Sequence, residues 1–396
     1  MNQSHAGLRT WVEVDTKALK NNYDVFRKII GAKVKLMAVA KSNAYGHCLY
    51  DYAKVMAGLG VDWLGVDSVT EAMKLRREGI KTPILILGHT LTERLKDCLE
   101  NDLTVTVSSF EQIKELDSRL RGNDKEENGN DKEENGNDTL KLRAHIKIDT
   151  GMHRQGFQTE EVEDACQQIR QLENIKVEGI FTHFAAAKNP AFPADTKAQI
   201  EQFKTACDIA KRYFGENLIK HAAATAGTLL FPESHFDMVR IGIGLYGLWT
   251  SKEAKALCGG KIELMPALSW RTVVAEVKII KAGERISYDL TEKFEKEICI
   301  AVLPIGYWNG FRRSLSSIGH VLIQGKRAKV LGRVTMDMIM VDVTEIPAVH
   351  SGDIVTLIGR DSGQEITADE IALLTETSNY EVVTQLNPLM KRVYLD

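Results

Sequence analysis

Paired cysteines, a long apolar run and an excess of either charge are all missing from this 396-residue chain. The six cysteines (Cys48, Cys98, Cys166, Cys207, Cys258, Cys299) are scattered and none forms a CxxC pair, so neither a zinc site nor a disulfide framework is suggested. No stretch reaches the roughly 20 apolar residues that span a bilayer. The opening MNQSHAGLRTWVEVD has no apolar core of a secretory leader. The formal net charge is −3, so no basic field draws the chain to nucleic acid or anionic lipid. No GxGxxG follows the first apolar run, which argues against a doubly wound dinucleotide-binding sheet. The expectation is a cytoplasmic protein with no metal, membrane or nucleic-acid partner.

What is present is a soluble, globular composition, 44% hydrophobic and 27% charged. Its length calls for more than one core. From Val34 to about Gly247, short apolar runs alternate with amphipathic stretches. The runs are VKLMAVA, VDWLGV, TPILILG, LTVTVS, LRAHIKID, VEGIFTHF, LIKHAAA and MVRIGIGLYG. Between them lie segments such as DTKAQIEQFKTACDIAKRYF, in which Ile200, Phe203, Ala206, Cys207 and Ala210 fall on one helical face. Eight strands alternating with helices predict a (β/α)8 TIM barrel, an α/β fold, over residues 12–255. Past Gly247 the texture changes to β-type runs joined by Gly-containing turns. This predicts a C-terminal, mostly antiparallel β domain over 256–396, with residues 1–11 a candidate addition to it. In that domain TADEIALLTE reads as a helix capped by Thr367. One segment interrupts the rhythm. Arg121–Asp138 repeats DKEENGN in tandem and holds three basic and seven acidic residues, which predicts a solvated, mobile insertion.

Functional groups of such barrels gather at the carboxyl ends of the strands. Lys41 ends the first run, in MAVAKSNAYGHC. A lysine there either marks where a strand meets water or sits against apolar walls, able to form a Schiff base. Lys147, Asp149 and Arg154 follow the fifth run, His183 the sixth, Thr225 the seventh, and Arg240, Gly242 and Ile243 the eighth. A lysine among cationic groups, with a glycine-flanked turn suited to phosphate, points to pyridoxal phosphate.

These residues carry a resemblance. AVAKSNAYGH resembles the cofactor-lysine signature of alanine racemases, the barrel-type (fold-type III) pyridoxal phosphate enzymes. KIDTGMHRQGF, THFA, VRIGIGLYG, ISYD, GYWNGFRR, GRVTMDM and NYEV match further blocks of that family in order, from about Val12 to Val382. The resemblance implies that Lys41 holds pyridoxal 5'-phosphate and is one of two catalytic bases. Tyr288 would be the other, supplied by the partner subunit of a homodimer. Tyr45, Thr225, Gly242 and Ile243 would hold the phosphate, and Arg240 would face the pyridine nitrogen. His183 would link Tyr288 to Arg240. Arg154 and the backbone of Met336 would bind the substrate carboxylate, and Lys147 matches a position that is often carbamylated. The implied activity is interconversion of L-alanine and D-alanine, supplying D-alanine for peptidoglycan. The alternatives are a broader racemase acting on serine or lysine, and a pyridoxal phosphate carrier without turnover. The chain departs from the family pattern at Ala224-Thr225, Asp289, Asn309, Thr335 and Met338. At Pro388 a phosphate-contacting tyrosine is expected.

Overall fold

The alternation in TWVEVD makes β1 (Thr10–Asp15), with Trp11, Val12 and Val14 buried and Asp15 exposed. The computed structural model describes residues 6–126 and 141–396, the side chains of 119–126 excepted. Each of the eight apolar runs contains a strand: β2 (Lys35–Val39), β3 (Trp63–Val66), β4 (Ile84–Ile86), β5 (Leu103–Val107), β6 (Leu142–Asp149), β8 (Ile175–Phe181), β9 (Ile219–His221) and β10 (Met238–Ile241). A two-residue β7 (Phe157–Gln158) pairs with β6. The intervening helices are α1 (Thr16–Ile30), α2 (Lys41–Tyr45), α3 (Leu49–Leu59), α4 (Val69–Arg77), α5 (Leu95–Glu100), α6 (Phe110–Glu126), α7 (Val162–Arg170), α8 (Pro193–Phe214), α9 (Thr225–Leu230) and α10 (Lys252–Cys258). Among the described residues no helix is long and apolar enough to cross a membrane.

The chain forms two compact units. One comprises Lys20–Ser42 and Tyr52–Met265; the other comprises the chain up to Leu19, Asn43–Asp51 and Pro266–Asp396. In the first, all eight strands pair in parallel in the order β10-β2-β3-β4-β5-β6-β8-β9. A parallel bridge between Ala224 and Arg240 brings the ends of this sheet together, with Arg240 N–H donating to Ala223 O at 2.9 Å. The barrel is therefore nearly closed. Strands covered on both faces need continuous apolar sequence, and every residue of β3, β4 and β5 is buried. Helix α8 buries Ile200, Phe203, Ala206, Cys207 and Ala210, the face read from its spacing.

The second unit adds β11 (Leu268–Val273), β12 (Glu276–Ile280), β13 (Arg285–Ile286), β14 (Glu292–Lys293), β15 (Ile298–Leu303), β16 (His320–Ile323), β17 (Lys326–Leu331), β18 (Ile339–Asp342), β19 (Ile354–Asp361), β20 (Gln364–Ile366) and β21 (Lys391–Leu395). Its main sheet runs β12-β15-β18-β17-β16-β19-β11-β1-β21, antiparallel except for β1 beside β21. Helices α11 (Ala368–Leu374) and α12 (Asn379–Thr384) follow β20, and the Thr367 hydroxyl caps α11 by accepting from Glu370 N–H.

Two assignments differ from the sequence reading. The bound expected at residue 12 would count most of β1 with the barrel, but β1 belongs to the second unit, between β11 and β21. The reason is its period of two: Glu13, between the buried Val12 and Val14, pairs with Arg271 at 3.0 Å, a pattern unsuited to a strand covered on both faces. Asn43–Asp51 also joins the second unit. As for the repeat, the backbone of α6 continues to Glu126, and the expected insertion is otherwise outside the described residues.

Candidate active site

The carboxyl ends of the barrel strands bring together most of the cationic residues singled out above. Lys41 follows β2, and its Nζ lies 3.5 Å from a carboxylate oxygen of Asp67, at the end of β3. Lys147 on β6 is buried. Its ammonium donates to Gln155 Oε1 at 2.8 Å and sits 5.5 Å from the centre of the Phe181 ring. Burial, reinforced by the charges of Arg154, Arg240 and Lys41, pushes its pKa down to about 8. Asp149 closes the next loop by accepting from the N–H groups of Gly151, His153 and Arg154 at 2.9, 3.0 and 3.1 Å. Burial works against its ionisation, yet the backbone N–H groups of His153, Gly151 and Met152 hold it below the usual carboxylate range. Its charge is thus spent on the loop that carries the exposed Arg154.

Arg240 on β10 is the buried centre of the site. Its guanidinium donates to Thr182 O (2.7 Å), His221 O (2.9 Å), Ala222 O (3.0 Å), His221 Nδ1 (2.9 Å) and His183 Nδ1 (3.3 Å). It also lies over the Phe181 ring. All five acceptors are neutral groups. Desolvation lowers the arginine to about 9, and it remains a cation at neutral pH. Burial, then the charges of Arg240, Arg154, Lys147 and Lys41, hold His183 down to about 3. The cluster is strongly electropositive and prefers an anionic ligand.

Thr225 opens α9, and its hydroxyl accepts from the N–H groups of Gly242 and Gly244 at 3.3 and 3.4 Å. The turn after β10 is tight because Gly244 has no side chain: a Cβ there would lie 2.5 Å from Phe26. Ile243 is buried in this turn. These donors and the hydroxyl form a set that suits a phosphate.

The residue after Lys41 begins an unusual turn. Ser42, Asn43, Ala44 and Tyr45 have φ of 57°, 54°, 52° and 50°, so α2 winds left-handed. For L-residues this costs roughly 1–2 kcal/mol each. Sustained strain of this kind clusters at functional sites. Tyr45 is buried, with its ring 6.1 Å from that of Tyr380.

Tyr288 and Met336 belong to the second unit. Tyr288 is 69% exposed in a turn where Ser287, Asp289 and Leu290 all have positive φ. Asp289 pairs with Arg333 at 2.9 Å. This aspartate takes φ 61°, a conformation that Asp and Asn tolerate better than most. Met336 is exposed, and its carbonyl accepts from Trp308 N–H at 3.0 Å. Thr335 and Met338 close that loop, the threonine hydroxyl donating to Met338 O at 2.7 Å. Asn309 is buried and accepts from Gly306 N–H at 3.0 Å, a role an aspartate would also fill. Pro388 is exposed.

The sequence reading missed His145 and His221. His221 Nε2 and His145 Nδ1 are 2.9 Å apart, extending the Arg240 network across the barrel interior. The signal was available on β6, where His145 and Lys147, two residues apart, share a face.

Two family profiles match the chain: Alanine racemase, N-terminal domain, over residues 14–249, and Alanine racemase, C-terminal domain, over 267–394. An alanine racemase of Leptospira interrogans is 37% identical over 393 residues, covering 98% of this chain and 96% of that protein. One from Methanococcus maripaludis is 39% identical over 389 residues, covering 97% and 98%. The crystal structure of an alanine racemase from Bacillus anthracis with bound L-Ala-P superposes with a TM-score of 0.89, at 34% identity, covering 98% of this chain and 95% of that one.

Proposed function

Because the chain belongs to the alanine racemase family, we propose that its barrel mouth binds pyridoxal phosphate at Lys41 and interconverts L-alanine and D-alanine. The family depends on that cofactor, and the residues fit it. Lys41 is partly open, the Thr225–Gly242 turn offers phosphate ligands, and Arg240 supplies a donor-only cation. The observation that carries the reading is Arg240, buried at the end of β10 with five neutral acceptors. The bound cofactor draws electrons away from the bond to the substrate α-hydrogen.

The chain's own residues divide the remaining work. Lys41 would hold the cofactor and exchange a proton at Nζ on one face of the α-carbon. Tyr288 of the partner subunit would exchange one at its phenol oxygen on the other face, because racemisation must remove and return a proton on opposite sides. Arg154 and the Met336 backbone would orient the substrate carboxylate. Tyr45, Thr225, Gly242 and Ile243 would hold the phosphate, and Arg240 would face the ring nitrogen. His183, kept neutral beside Arg240, would connect Tyr288 to that arginine. Lys147, with its pKa down at about 8, presents a growing fraction of neutral amine as pH rises through that value. Neutral amine is the form that takes up carbon dioxide, and a carbamate there would place a negative charge beside Arg154. The cellular role would be supply of D-alanine for peptidoglycan by a cytoplasmic homodimer.

The test is a racemisation assay over alanine, serine and lysine, joined to borohydride reduction. Alanine is expected to lose optical rotation fastest, and the pyridoxyl label to fall on the peptide containing Lys41. A label on another lysine overturns the site. A cofactor band without loss of rotation from any of the three amino acids overturns the activity.

A further inference from the structure

We propose that Arg392 and Tyr394, on the last strand, are positioning residues for the reaction: they clamp the left-handed turn that follows Lys41 and so fix how the chain presents Lys41 and Tyr45. The inference rests on the assignment of Lys41 above.

Four consecutive L-residues at φ near +50° relax toward right-handed geometry unless something opposes them. Part of the restraint is local. His47 N–H donates to Ala44 O at 2.9 Å and Cys48 N–H to Asn43 O at 3.1 Å, while Leu49 N–H reaches Asn43 Oδ1 at 3.0 Å. These bonds lie within the segment and move with it.

The external restraint comes from β21. Arg392 is buried, and its Nε donates to Gly46 O at 2.9 Å. Its terminal nitrogens donate to Asn387 O (2.6 Å), Met390 O (2.7 Å) and Leu386 O (3.1 Å). Two residues on, Tyr394 donates its hydroxyl to His47 O at 2.8 Å. Adjacent carbonyls of the turn, those of residues 46 and 47, are thus fastened to one face of one strand. Among the described residues Arg392 pairs with no carboxylate. A buried guanidinium facing only carbonyls is a costly way to fill space, but its rigid fork of donors suits the joining of two backbone segments. Gly46 is drawn so close that a Cβ would lie 2.0 Å from Val383 O. The turn is thus seated on α12 at Gly46, and Arg392 ties it to the 386–390 loop.

The test compares Tyr394→Phe, Arg392→Lys and Arg392→Met with the wild-type holoenzyme. Hydrogen exchange is read on peptides covering 42–49 and on β15 and β18 as controls. Tyr394→Phe loses one hydrogen bond and keeps the ring. It is expected to raise exchange in 42–49 by about two- to tenfold with the control strands unmoved. Its kcat should fall by a similar factor while KM for alanine moves less than twofold, and the visible circular dichroism of the bound cofactor should weaken. Arg392→Lys should retain more of that signal than Arg392→Met. Unchanged exchange in 42–49, exchange rising equally in the control strands, or full kcat despite a loosened turn would each overturn the proposal. Borohydride labelling of the wild type separates the two possible failures. A label away from Lys41 overturns the site reading, whereas a label on Lys41 with an unmoved turn overturns the clamp alone.

Discussion

Arginine can only donate hydrogen bonds, and at Arg240 that fact propagates through two histidines. His221 Nδ1 faces a guanidinium N–H, so it accepts and the proton resides on Nε2. That proton points at His145 Nδ1, which must accept in turn. Both rings are therefore neutral, and burial, joined by the charges of Arg143 and Arg240, takes His145 down to about 3. His47, buried in the second unit, is lowered to about 4, again chiefly by burial. The unfolded chain binds protons on these rings near pH 6.5, while the folded chain does so only near 3 to 4. Between those limits the unfolded state holds more protons, so stability is complete above about pH 6.5 and falls as pH drops. Each such ring contributes a slope of up to about 1.4 kcal/mol per pH unit. Urea unfolding between pH 6 and 4.5 should show this loss, and His145→Gln should flatten it by about one ring's share. An identical slope in the variant would mean that His145 does not bury its neutral form.

At the scale of elements, an apolar run that is continuous or alternating decides which sheet a strand joins. β3, β4 and β5 are buried on both faces and join the barrel, whereas β1 alternates and joins the antiparallel sheet. Helix α2 obeys no such rule. KSNAY has no glycine, yet its four residues after Lys41 are left-handed; the Tyr45 ring meets Tyr380 of α12, and β21 bonds the carbonyls of Gly46 and His47 that follow. The DKEENGN repeat is the opposite case, a segment with nothing to bury. Replacing residues 127–138 with a short Gly-Ser linker should change stability by less than ~1 kcal/mol, since closure entropy varies only with the logarithm of loop length. Calorimetry and a racemisation assay check this; a larger loss in either would show that the repeat packs or functions.

For the whole molecule the question is whether one copy suffices. Lys41 lies in the barrel unit and Tyr288 in the other, and the proposed site takes its Tyr288 from a second copy. Removing a general acid or base costs about 10² to 10⁴ in rate, so Lys41→Ala and Tyr288→Phe homodimers should each be nearly inactive. In a mixed dimer one site carries both lesions and the other neither. Unfolding the variants together and refolding them at random should restore about a quarter of wild-type activity, because half the dimers are mixed and each has one intact site. Absence of any recovery, with mixed dimers demonstrated by native mass spectrometry, would place Tyr288 in its own subunit's site.

The sequence by itself determined the eight barrel strands, the face of α8, the Thr367 cap and the change to β structure after Gly247. Each of these depends on periodicity or local hydrogen bonding, which neighbouring residues carry. It also determined which side chains stand at the strand ends, because parallel strands send the residues after them to one mouth. Tertiary structure alone decided the rest. β1 found its partners some 260 and 380 residues away, Arg240 acquired acceptors from the ends of two neighbouring strands, β8 and β9, and two histidines joined its network. The turn after Lys41 was the least legible of all. Local preference for L-residues opposes its handedness, and the restraints around it include a guanidinium bonded to the Gly46 carbonyl from 346 residues later in the chain.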